Sequence, residues 1–258
     1  MAKKQGIPEA WAPWIALAVL LVVWQLICVA FNVSEFIFPA PTAIAAALVQ
    51  FAGPIGAHAW QTFWTTAVGF AISVVVGVLL GFVVGSSRFV YKSIYPLLVG
   101  FNSLPKAAFV PLLVVWFGLG TVPAILTAFL ISFFPIVVNV ATGLATLEPE
   151  LEDVLRALGA KRRDVLLKVG LPRSMPFFFA SLKVAITLAF VGTVISEMVA
   201  ANDGIGYMMM SAGSQQRMAL VFAGLVVISA MAMAMYEIFA VFERRMTRWA
   251  HRGTQSML

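Results

Sequence analysis

The residues with chemistry to offer form one dense group and a few isolated points. The group is a polar island from Glu148 to Pro172, EPELEDVLRALGAKRRDVLLKVGLP, set between apolar runs. A segment this charged must be held in water. Its apolar positions Val154, Leu158, Val165 and Val169 recur near helical spacing, which gives it one face for docking. The acids Glu148, Glu150, Glu152 and Asp153 open a first helix, where the dipole favours negative charge. Lys161, Arg162 and Arg163 open a second, where the dipole disfavours them, so they are expected to serve lipid head groups or an acidic partner. The isolated points are Asn102, Lys106, Asn139 and Glu197, polar groups inside otherwise hydrocarbon stretches. Such residues are functional-site hypotheses by default. No Gly-x-x-x-x-Gly-Lys-Ser/Thr phosphate loop occurs, so the chain has no cradle of that kind for ATP. Two histidines, His58 and His251, and the single Cys28 offer no metal-site spacing and no intrachain disulfide.

The elements that must position these groups are membrane spans. The chain has 258 residues, 62% hydrophobic and 11% charged, with mean hydropathy +0.98. A soluble domain carries about 25% charged residues, so the composition reads as all-α and integral to a membrane. Runs of about 20 apolar residues suffice to cross the hydrocarbon core. Six are expected: Trp11–Phe31, Thr62–Ser86, Ile94–Trp116, Val122–Thr146, Met175–Ala200 and Met218–Phe242, in one transmembrane domain. Basic residues follow the second, fourth and sixth spans (Arg88, Lys92, Lys161 to Arg163, Lys168, Arg244, Arg245, Arg248 and Arg252). Arg217 is the exception on the other side. The positive-inside rule therefore puts both termini and the 147–172 loop in the cytoplasm. The net charge of +6 is thus a topology signal rather than a mark of nucleic-acid binding. Lys3 and Lys4 precede a long span with no small-residue cleavage site, so no cleavable signal peptide is expected.

Pro39 to Ala59 is too broken by Pro41, Gly53, Pro54 and Gly56 to span; Ala43–Phe51 is expected as a short interfacial helix capped by Thr42. His58, Trp60 and Trp64 mark an outer aromatic belt, with His58 an interface residue rather than a ligand. Gly69, Ser73, Gly77, Gly81 and Gly85 form a small-residue stripe that admits a neighbouring helix backbone, from within the chain in preference to a second copy. The third span is discontinuous at Asn102-Ser103-Leu104-Pro105-Lys106, where Lys106 faces either a pathway or the outer interface by snorkelling. Phe133-Phe134-Pro135 and Asn139 interrupt the fourth span, as packing or as a steric gate. Glu197, near the outer end of the fifth, is a candidate partner for Lys106, as a structural pair or a gate latch.

The island resembles the cytoplasmic EAA loop of ATP-binding-cassette import permeases: Glu-Ala-Ala, three residues, Gly, nine residues, Ile, one residue, Leu-Pro. The matching positions are Asp153-Val154-Leu155, Gly159, Val169 and Leu171-Pro172, every gap kept, with Leu158 and Ala160 flanking the glycine and Glu152 one place before the acid. Pro111-Leu112, Trp116 to Gly120, Phe134-Pro135 and Ser196-Glu197-Met198 are similar to the branch serving sulfonates, taurine, nitrate and bicarbonate. Some relatives of that branch carry a thiamine-pyrimidine precursor or aromatic carboxylates. The resemblance implies a type I importer permease fold in a bacterial inner (plasma) membrane and a loop of coupling helices seated in a cytoplasmic ABC ATPase. It implies that the ATPase, not this chain, holds ATP and magnesium. It also implies a periplasmic or lipid-anchored solute-binding protein and a second permease subunit, with a homodimer favoured. The rival class is an ion-coupled secondary transporter, which would be expected to show more intramembrane acids and internal repeats than are present here.

Overall fold

The computed structural model describes residues 11–145, 154–155 and 157–247. Among them no strand occurs. Helix α1 (Ala12–Ala30) leads to a short α2 (Pro41–Gln50), then a long α3 (Ala52–Gly85) and α4 (Arg88–Asn102). A 3-10 turn at Lys106–Phe109 leads to α5 (Val110–Phe117) and α6 (Thr121–Ala145). Beyond residue 161 come α7 (Arg162–Val165), α8 (Leu171–Ala200), α9 (Ile205–Ser214) and α10 (Met218–Met246). Five helices are long and apolar enough to cross a membrane, six if α4 and the 3-10–α5 unit, bent by 73°, count as one broken span.

The centre is a three-helix packing of α3, α6 and α8. Lipid is as apolar as leucine, so close backbone approach and side-chain hydrogen bonds must hold spans together. The glycine stripe supplies the approach. A Cβ added at Gly77 would lie 2.9 Å from Ile136 Cβ, and one at Gly81 2.7 Å from Val140 Cβ, so the stripe faces α6 of the same chain. On the same seam Ser73 Oγ lies 2.7 Å from Ser132 Oγ, and between α3 and α8 Thr66 Oγ1 donates to Thr193 Oγ1 at 2.9 Å. Phe70, Ile136, Val140, Ile186 and Phe190 close the core between them.

Several boundaries differ from the sequence expectation, each for a local reason. Pro41, not Thr42, opens α2, behind Ala40 as N-cap; the Thr42 N–H instead binds Gln25 Oε1 at 3.2 Å and ties α2 to α1. The second span begins at Ala52 rather than Thr62, with Gly53, Pro54 and Gly56 inside the helix. Pro54 is tolerated because first-turn N–H groups have no intrahelical partner to lose. The fourth span is not interrupted: α6 runs through Pro135, and Asn139 Nδ2 donates to the Pro135 carbonyl at 2.8 Å. Leu171-Pro172 does not separate the island from the next span. A π-helical stretch, Leu166–Gly170, joins α7 directly to α8, and its wider turn accommodates the proline that follows. A short helix not anticipated between the fifth and sixth spans, α9, follows the fifth. The third span is broken where expected, at Ser103–Pro105.

Candidate functional site

The chemistry lies at the two ends of α8. At its N-terminal end, the described part of the polar island turns at Gly159, whose φ is +87°, in the left-handed region. The Ala160 N–H closes back on the Leu155 carbonyl at 3.0 Å, the six-to-one bond of a Schellman helix end. Glycine is needed there by backbone, not by crowding, because an added Cβ would meet nothing within 4 Å. The turn leaves Leu158 79% exposed and Val154 57% exposed. Beside them runs an open groove of about 300 Å³ lined by Leu155, Leu158, Ala160, Val165 and Val169, with Asp164 and Lys168 paired on its rim at 3.1 Å. Glu152 and Asp153 lie outside the described residues. Leu171 and Pro172 form the first turn of α8, so the groove continues into a membrane span without an intervening loop.

At the other end of α8, Glu197 is 2% exposed. Thr62 Oγ1 donates to its two oxygens at 2.9 and 2.8 Å while accepting the Ile205 N–H at 2.8 Å. The Gly206 N–H donates to Glu197 Oε2 at 3.0 Å. Ile205 and Gly206 are the first two residues of α9, whose N-cap Gly204 has no side chain to satisfy them. A carboxylate from a neighbouring helix therefore does the capping, assisted by the dipole. His58 Nδ1 accepts the Gly204 N–H at 3.1 Å. Sequence reading singled out Glu197 but not Thr62, Gly204 or Gly206. The signal that could have found them is Asn-Asp-Gly-Ile-Gly, a turn followed by a helix start, just beyond a membrane-depth acid.

Lys106 and Glu197 are not brought together. Lys106 Nζ donates to the Asn102 carbonyl at 2.9 Å and Asn102 Oδ1 at 2.7 Å, and it lies 5.8 Å from the Phe134 ring centre. The lysine thus closes the break between α4 and the 3-10 turn, taking a carbonyl that has no helical donor there. Next to it, Phe101, Phe109, Leu113, Trp116, Phe129 and the lysine itself line a cavity of about 280 Å³. Phe133 and Phe134 are each 8% exposed, and Phe133 stacks on Phe129 at 5.2 Å, so within this chain both are packing residues. A pair that sequence reading passed over, Lys183 and Glu243, bridges α8 and α10 at 2.5 Å, with each side chain 18% exposed.

A bundle of long apolar helices with a broken span, a buried polar cap and an exposed amphipathic turn is the architecture of a multi-pass membrane protein. Residues 73–248 match the family described as binding-protein-dependent transport system inner membrane component, and the chain belongs to it. Among curated relatives, the taurine transport system permease protein TauC of Escherichia coli (strain K12) is 30% identical over 90% of this chain and 87% of its own length. The formylaminopyrimidine transport permease protein ThiX of Halalkalibacterium halodurans is 28% identical over 77% of this chain and 80% of its own length. A chain of the inward-facing MetNI methionine ABC transporter superposes with a TM-score of 0.65, covering 74% of this chain and 94% of that one at 18% identity. The fold is that of an ABC importer permease, and membership in this family displaces the ion-coupled carrier reading.

Proposed function

We propose that this chain is the non-catalytic, membrane-spanning subunit of an ATP-driven importer in a bacterial inner membrane, with both termini and the 147–172 loop cytoplasmic. Its cargo is a small anionic solute of the sulfonate, taurine or nitrate kind, delivered by a periplasmic or lipid-anchored binding protein. ATP and magnesium are held by a separate cytoplasmic ATPase, and a second copy of the chain completes the pathway. The observation that carries this reading is the exposed Val154–Leu158 face, ended at Gly159 and continuous through the π-helical stretch with α8. Exposed leucine and valine on a water-facing turn want a partner cleft. Glu152 and Asp153 supply the acidic anchor before that face, and Ala160, Val169 and Leu171-Pro172 carry its displacement into the span. Along the pathway, Asn102 and Lys106 set the polarity, Phe133, Phe134 and Asn139 hold the wall, and Glu197 fixes the outer end.

The test is co-purification and reconstituted uptake with the partner ATPase. Leu158→Asp and Gly159→Phe should abolish ATPase association while leaving the protein inserted. Gly159→Asn, which tolerates a left-handed backbone, should retain most of it. Normal transport by Gly159→Phe would end the coupling assignment.

A second cargo reading has its own support. The aromatic-walled cavity beside Lys106 suits a flat ring carrying one negative charge, such as an aromatic carboxylate, and ThiX is named for a pyrimidine. Lys106→Ala separates the two: a selective loss of aromatic-acid uptake with sulfonate uptake unaffected favours the cavity.

A further inference from the structure

The one cation that breaks the charge asymmetry of the loops, Arg217, sits at the mouth of a pocket that the transport reading does not use. The pocket has a volume of about 640 Å³ and lies between the turn before α2, α2 itself and the turn from α9 into α10. Its floor is apolar, with Ala43, Ala47, Phe51 and Leu220; its rim is polar, with Glu35 and Arg217. Gln216 holds a left-handed backbone, φ +59°, and the Arg217 N–H closes on the Ala212 carbonyl at 2.9 Å. That is a Schellman end built without glycine, and it aims the next residue away from α9. The Arg217 and Glu35 side chains are exposed and have no hydrogen-bond or ion-pair partner among the described residues, each other included.

Depth decides what such a pocket meets. Arg217 is the N-cap of α10, a 29-residue apolar span, so its guanidinium lies where hydrocarbon gives way to head groups. α2 is a short apolar helix of interfacial type, and Phe36, 64% exposed, stands at the same rim. An arginine fork matches phosphate, and a carboxylate across an apolar floor matches a primary ammonium. The volume falls within the several hundred Å³ typical of small-molecule sites. We infer that the Glu35–Arg217 pocket is a binding site for a zwitterionic aminophospholipid of the ethanolamine type, phosphate on Arg217, ammonium on Glu35, and glycerol on the alanine floor. The occupant is drawn from the leaflet at the Ala200 end of α8, whichever face of the cell that is, so the site does not depend on the cargo or the ATPase.

The test is native mass spectrometry of the full-length chain titrated with dioleoyl-phosphatidylethanolamine, -phosphatidylglycerol and -phosphatidylcholine. The ethanolamine lipid should bind about fivefold tighter than either of the others, the scale of one exposed ion pair. Arg217→Gln should weaken the ethanolamine and glycerol lipids together. Glu35→Gln should erase the preference for ethanolamine over both choline, whose quaternary nitrogen has no N–H to donate, and glycerol, which has no ammonium, while leaving phosphate-dependent binding in place. Both side chains are exposed, so both variants should fold. Equal binding of the three lipids by the unaltered chain overturns the proposal. So does unchanged lipid binding by Arg217→Gln, even if that variant loses affinity for the solute-binding protein, which would assign the surface to the protein partner. Displacement of the lipid by an equal concentration of soluble glycerophosphoethanolamine would make this a site for the water-soluble head group rather than for a lipid and overturn it as well.

Discussion

Glu197 illustrates how one side chain can stand in for a missing cap. Glu197→Ala would strand the Thr62 hydroxyl and the Gly206 N–H in a buried pocket, and each unsatisfied group costs about 1–3 kcal/mol. The expected result is a clearly lowered thermal midpoint in detergent, with Glu197→Gln intermediate because its amide oxygen still accepts. An unchanged midpoint for the alanine variant would mean the cap contributes nothing. Gly204 is constrained twice over. Its φ is +100°, and any Cβ there would collide with the Glu197 carboxyl, so Gly204→Ala should fail to yield folded protein. Gly53→Ala is the control, since an added Cβ at Gly53 meets nothing within 4 Å, and its yield and midpoint should match the unaltered chain. The lone lysine at Lys106 looked like an intramembrane charge seeking an acid. Its actual partner, the Asn102 carbonyl four residues back, exists only because the helix breaks there.

Between elements, the Lys183–Glu243 bridge is the one interhelical ion pair among the described residues whose two side chains are both largely covered. Removing one partner leaves a charge in a poorly hydrated place, whereas removing both need not. Lys183→Met and Glu243→Gln should each lower the thermal midpoint, and the double variant should recover part of the loss; strictly additive losses would show that the two do not interact. Long apolar runs and charge asymmetry made the central spans legible, and the glycine stripe named its own partner face. Proline and glycine misled at two places. Pro54 sits in a first turn and Pro135 in a continuous helix, so neither stops its helix. α9 was missed because its start is stabilised by Thr62, far away in sequence, and by Glu197 on the preceding helix, rather than by a cap side chain of its own.

For the whole molecule, topology is the property on which everything directional depends. In a Cys28→Ser background, a cysteine at exposed Leu158 should react with a membrane-impermeant maleimide only when the cytoplasmic face is open. One at exposed Gln215 should react in intact cells whose outer membrane has been permeabilised. Labelling of both from the same side would overturn the proposed orientation. The unbroken connection from the Gly159 groove to Glu197 then has a mechanical meaning. α8 alone has 30 residues, about 45 Å at 1.5 Å per residue. A stiff rod of that length pivoting near its middle moves each tip by roughly 4 Å for every 10° of swing. On the proposed coupling, a push at the groove would move the far tip by an equal amount in the opposite direction. Because Glu197 caps the start of α9, α9 would travel with that tip, a latch lifted by a lever.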